Sequence, residues 1–140
     1  MKKIILVLAA IGFITIAAAT KMSSKNEVIV KSDVKNEKYK ACIAACKECI
    51  KSCNTCESMC TKGKDAKMTA CTQLCKECVS SCKIAIKAME ANRADVKSEC
   101  AECAKACEKC ADECDKFDMA DCKKCAAACR KAEKLCKEMS

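Results

Sequence analysis

CIAACKECIKSCNTCESMC, residues 42–60, sets Cys42, Cys46, Cys49, Cys53, Cys56 and Cys60 at alternating steps of four and three. That alternation is the spacing of the inward positions of a heptad, so on an α-helix all six thiols fall along one stripe. The rhythm recurs downstream at Cys71, Cys75, Cys78 and Cys82, then at Cys100, Cys103, Cys107, Cys110 and Cys114, then at Cys122, Cys125, Cys129 and Cys136. Four groups predict four cysteine-faced helices. The one seven-residue step, Cys129 to Cys136, leaves Ala132 on its stripe, and the second stripe runs on through Ala85 and Met89. Extended outwards, the stripes reach Tyr39, Met68, Val96, Phe117 and Met139, so apolar residues close the thiol column at both ends.

The breaks between groups are short. Gly63 is expected in the left-handed conformation that ends helix 1, Asp65 as the cap of helix 2 and Asp118 as the cap of helix 4, with Asn92 and Asp95 in similar parts between helices 2 and 3. Connections this short favour antiparallel neighbours. The expected fold is all-α: an up-down-up-down four-helix bundle with helices near 36 to 61, 66 to 91, 95 to 117 and 119 to 139, and all four thiol stripes facing one another.

Composition agrees. The 140 residues suffice for one small domain, and with no proline, two glycines and one tyrosine they carry few signs of turns or strands. Beyond residue 40 the branched aliphatics are only Ile43, Ile50, Leu74, Val79, Ile84, Ile86, Val96 and Leu135. That is too few for an ordinary bundle interior. The formal charge of +8, which falls to +6 without Lys2 and Lys3, is spread as interleaved Lys and Glu rather than gathered in a block. Such a surface describes a soluble bundle and gives no nucleic-acid footprint.

Residues 1–19 read as a secretory signal peptide: Lys2 and Lys3, an apolar run from Ile4 to Ala19, and small Ala17 and Ala19 before Thr20. The run is shorter than the roughly 20 residues that span a bilayer. Export to the periplasm or the cell exterior is expected, with no stable membrane anchor after cleavage. Residues 20–38, polar and rich in lysine, read as a flexible arm or short helix, and residues 39–140 as the bundle.

Nineteen thiols at one helical phase point to the chemistry of sulfur, because leucine or alanine would fill a bundle without redox risk. Disulfides fit poorly. Nineteen is odd, and cysteines three or four apart on one helix have nearly parallel Cα–Cβ directions. Cys42, Cys46 and Cys49 match an iron–sulfur spacing only because any all-cysteine heptad does. The C-x-C spacing of a metallothionein is absent. A four-thiolate zinc site would leave about −2 in a closed interior, whereas one copper(I) per thiolate is neutral. Copper(I) is soft and accepts few ligands, so thiolates three and four residues apart can share ions along a stripe. The three readings left are a copper(I) thiolate store, a zinc or mixed-metal thiolate buffer, and a disulfide-stapled helical interaction protein. No enzyme is expected, since histidine is absent and no nucleophile–base pair can be named.

From Tyr39 to Met139 the ladders, with Asp118 and Met119 in the turn before Cys122, resemble the bacterial copper storage proteins, four-helix bundles whose inward cysteines bind many copper(I) ions. The resemblance implies a homotetramer of bundles that takes copper up at one open end, the other end being sealed by apolar residues. All nineteen cysteines are then candidate ligands. Without the histidines that admit copper in cytosolic relatives, Met59, Met68 and Met119 are the candidates for admitting it, handing ions to Cys60, Cys71, Cys114 and Cys122.

Overall fold

A computed structural model describes residues 24–63 and 66–140, with side chains described from Glu37 onward. The signal-peptide reading of residues 1–19 and the capping role of Asp65 lie outside the described residues. Four α-helices account for nearly all of the rest: α1 Ser24–Gly63, α2 Thr69–Glu90, α3 Val96–Cys114 and α4 Ala120–Met139, with a 3₁₀ turn at Ala66–Met68 leading into α2. No strand occurs among the described residues. Helix α1 begins well before its first cysteine, because residues 24–38 contain neither glycine nor proline to stop it. Helix α3 ends at Cys114, three residues earlier than the stripe reaches, and the chain turns through Asp115–Phe117.

Each helix packs on two neighbours, α1 and α3 both touching α2 and α4, so the four form a ring around one axis. Their direction follows from the thiols. Along α2 and α3 the partners run Cys82 with Cys103, Cys78 with Cys107, Cys75 with Cys110 and Cys71 with Cys114, one rising as the other falls. Cys42 meets Cys136 and Cys56 meets Cys122 between α1 and α4, and Cys49 meets Cys78 and Cys56 meets Cys71 between α1 and α2. Neighbouring helices are therefore antiparallel, as the short turns demand.

The helix ends differ from expectation in instructive ways. No described glycine has a positive φ, and Gly63 is simply the last residue of α1. The left-handed residue is Asn92, at φ 49°. Its N–H bonds the Met89 carbonyl at 3.1 Å and the Arg93 N–H bonds the Ala88 carbonyl at 3.0 Å, the paired bonds that close a helix C-terminus. At the turns before α3 and α4 the expected side-chain caps are not made. Helix α2 starts after Met68 and α4 after Met119, neither with a side-chain cap, and the exposed Asp118 carboxylate pairs with Lys123 instead. Asp95 does occupy the N-cap position of α3, yet its carboxylate goes to Arg93, and only its backbone carbonyl holds the Glu99 N–H, at 3.0 Å. Here Lys123 and Arg93 take the carboxylates in place of the backbone N–H groups, one charge-assisted bond in place of another.

These ends give opposite expectations for two substitutions, read by chemical unfolding of the apo protein. Asn92→Val forces a β-branched residue to positive φ and should lower stability by about 1–2 kcal/mol, while Asn92→Gly should leave it nearly unchanged. Gly63→Ala needs no left-handed backbone, and its new methyl would lie 3.9 Å from the Met68 sulfur, an ordinary contact. It should therefore stabilise by about 0.5–1 kcal/mol.

Candidate metal centre

All nineteen cysteines lie in the interior as free thiols, seventeen of them wholly shielded, with Cys42 at 1% and Cys60 at 3% exposure. No polar or charged side chain is buried among the described residues. What surrounds the thiols is alanine and a few larger apolar groups. Ala45, Ala104, Ala111, Ala126 and Ala128 are buried beside the stripes at positions that the cysteine spacing alone does not flag. Each lies next to a cysteine in sequence, at the flanking places of the heptad, and small residues there let the helices close on a thiol core.

The antiparallel register stacks the thiols in tiers, one position from each helix. Cys49, Cys78, Cys107 and Cys129 make one complete tier, with 3.5 Å between Cys49 and Cys129 and 3.6 Å from Cys78 to both Cys49 and Cys107. Cys53, Cys75, Cys110 and Cys125 make the next, and Cys56, Cys71, Cys114 and Cys122 the third. Towards one end the tiers lose a thiol each. Ala132 stands in for a cysteine beside Cys46, Cys82 and Cys103, and Ala85 beside Cys42, Cys100 and Cys136. Sulfurs of adjacent tiers also touch, Cys49 to Cys53 at 3.9 Å and Cys56 to Cys60 at 3.9 Å, so the column is continuous.

Several groups of four sulfurs are close enough to ligate one ion, every donor within 4.8 Å of the others. Three of these quartets share no residue: Cys49, Cys78, Cys82 and Cys107; Cys53, Cys75, Cys110 and Cys125; Cys56, Cys60, Cys71 and Cys122. Overlapping quartets, such as Cys56, Cys75, Cys114 and Cys125, join them.

The two ends of the column are unlike. At one, Met89 and Ala85 are fully buried and Val96 is 4% exposed, and Tyr39 and Met139 are half-buried against the core. At the other, Cys60 and Met68 line a surface cleft of about 410 Å³ together with Thr61, Ala66, Thr69 and Thr72. Of the three methionines singled out from sequence, Met68 belongs to the core and Met119 packs against it, while Met59 is 39% exposed and stands outside. Met59 precedes Cys60 by one residue and so faces away from the stripe.

Burial acts on the acid–base chemistry of the thiols. It pushes the Cys122 thiol from 9.0 up to about 12, with the neighbouring Cys56 adding to the rise, and raises Cys71 as well. The neutral thiol is the form that the closed interior tolerates.

The family described as copper storage protein matches residues 35–140. Among solved structures, apo copper storage protein 3 from Bacillus subtilis is similar at 39% identity and a TM-score of 0.68, covering 72% of this chain and 97% of that one. The copper(I)-bound copper storage protein BsCsp3 is similar at 38% identity and a TM-score of 0.70, covering 73% of this chain and 97% of that one. No curated protein sequence matches the chain.

The raised Cys71 and Cys122 thiols make their end of the apo bundle sensitive to base. A folded-state pKa above the unfolded value means that the folded chain holds its proton longer, so this stability is complete below about pH 9 and is lost as pH climbs towards 12. Unfolding midpoints of the reduced, metal-free protein should hold level from pH 6 to 8 and fall steadily above pH 9. A midpoint that rises across that range would contradict neutral thiols at Cys71 and Cys122.

Proposed function

The chain belongs to the copper storage protein family, and from that premise we propose that it keeps copper(I) in its own interior, as a supply and as protection against the free ion, with all nineteen cysteines as ligands. The observation that carries this is the thiol column: sulfur beside sulfur at 3.5–3.9 Å through the bundle, with no charged group buried among them. Each copper(I) that binds releases one proton and leaves a neutral copper thiolate. The interior thus has the same charge empty and full, and loading can proceed ion by ion without burying net charge. A dication on four thiolates lacks that property, which favours copper storage over a zinc buffer.

The chemistry is binding and release, not turnover. The family is one of storage proteins, and the carboxylates stand on the exposed helix faces, away from the sulfurs. We read the protein as having no enzymatic activity.

Copper enters, on this reading, at the end that holds Cys60. That cysteine is the most exposed of the nineteen and shares a cleft with Met68, whose thioether can bind copper(I) weakly and pass it on to Cys60 and Cys71. Met119 stands at the same end, before Cys122, and Met59 supplies an outer thioether. We further propose that bundles associate as homotetramers, as the resemblance implies, and that the residues 1–19 direct export to the periplasm or the cell exterior. The described helices themselves include none long and apolar enough to cross a membrane.

Anaerobic titration of the reduced chain with copper(I) against a competing chelator tests the store. Binding should approach one ion for each of the nineteen cysteines with helicity retained, and saturation at a handful of ions would sink the proposal. The mouth is tested by rate. Met68→Leu keeps the bulk and removes the sulfur, so it should slow loading several-fold and leave the final capacity unchanged; equal loading rates would remove Met68 from the path.

A further inference from the structure

We propose that the same interior also takes soft divalent cations of the zinc and cadmium class, at three or four sites per chain, each a quartet of thiolates drawn from at least three helices. The inference rests on the geometry of the quartets and not on the copper reading. A tetrahedral ion with metal–sulfur bonds of about 2.3 Å holds its ligands about 3.8 Å apart. The quartet of Cys53, Cys75, Cys110 and Cys125 already has Cys53 at 3.6 Å from Cys125 and 3.9 Å from Cys110, with Cys110 at 3.8 Å from Cys75. One residue comes from each helix, so the ion needs no helix to shift. The same spacing, 3.6–3.9 Å, runs through the two quartets that share no residue with it.

Number is limited by ligands and by charge. Three separate quartets are present and nineteen thiols can make no more than four. Each site forms when one dication displaces four protons, and it leaves two negative charges in an interior that holds no buried cation. Four copper(I) ions meeting such a site exchange cleanly: four neutral copper thiolates form and the dication departs. Divalent ions are therefore held only while copper is scarce, and loading copper expels them.

Cadmium chloride titrated anaerobically into the reduced, metal-free full chain provides the test, followed by thiolate-to-metal absorbance, cadmium-113 resonance and protons released. The proposal expects saturation at three or four ions, about four protons per ion, resonances in the tetrathiolate range, and release of cadmium when copper(I) is added. Saturation below three or above four ions, or about one or two protons per ion, would overturn it. The double substitution Cys110→Ala, Cys125→Ala, with helicity checked, should lose one cadmium but about two coppers, since it breaks one independent quartet and removes two thiols. Loss of no cadmium, or of two, would count against discrete quartets. A chain that holds three or four cadmium ions yet only a handful of coppers would sink the copper store and leave this inference standing.

Discussion

Electroneutrality of the interior is the constraint on which the rest depends. Nineteen sulfurs are packed almost wholly out of reach of water, and a thiolate there without a counter-ion is costly. Two states satisfy it: a proton on each sulfur, or one monovalent cation per sulfur. Burial raises Cys71 and Cys122, which favours the first state when metal is absent. The second state differs from it only by exchange of one single charge for another. That equivalence is why a closed core can fill and empty without being rebuilt.

The constraint also explains what the fold leaves out. A cysteine side chain is small, so a core made of it gives less apolar burial than one made of leucine, and the helices must come close to touch at all. Alanine at Ala45, Ala104, Ala111, Ala126 and Ala128 permits that approach. The exposed faces add ion pairs across helices, Lys47 to Glu90 at 3.2 Å and Lys131 to Glu48 at 2.8 Å, each worth little because both partners stand in water. Larger apolar groups appear where the thiol column stops: Met89 and Val96 at one end, Met68 and Phe117 at the other. Met89 is wholly shielded and Val96 nearly so, whereas Met68 keeps more exposure and shares a surface cleft with Cys60.

Much of this was legible in the residues because the code was periodic. Steps of three and four define a helix face without reference to anything distant, and four such faces have few ways to bury themselves. The ring of antiparallel helices, the burial of every cysteine, and the continuation through Ala85, Met89 and Ala132 all follow from it. The helix ends did not follow. Their outcome depends on competition among charges that spacing does not rank: Asp118 prefers Lys123, and Asp95 prefers Arg93, to a backbone N–H. Nor could composition tell that Asn92 and not Gly63 takes the left-handed position, since both residue types tolerate it. Met59 shows the same limit from another side: it shares an end of the bundle with Met68 and Met119, but it precedes Cys60 by one residue, and one residue turns a helical side chain by about 100° and puts it outside.

Order within the column follows from the two unlike ends. A cation arriving at Cys60 meets four-thiol tiers first and three-thiol tiers last, where Ala132 and Ala85 replace a sulfur. Four-thiol coordination therefore lies nearest Cys60, and three-thiol coordination lies nearest Met89 and Val96. With the mouth proposed at Cys60, an ion deep in the column would leave only past the others, while an ion near Cys60 would be open to any outside ligand soft enough to compete. Sulfurs of adjacent tiers lie 3.7–3.9 Å apart, close enough for an ion to pass from tier to tier without leaving thiolate contact, which is what the mouth proposed at Cys60 requires.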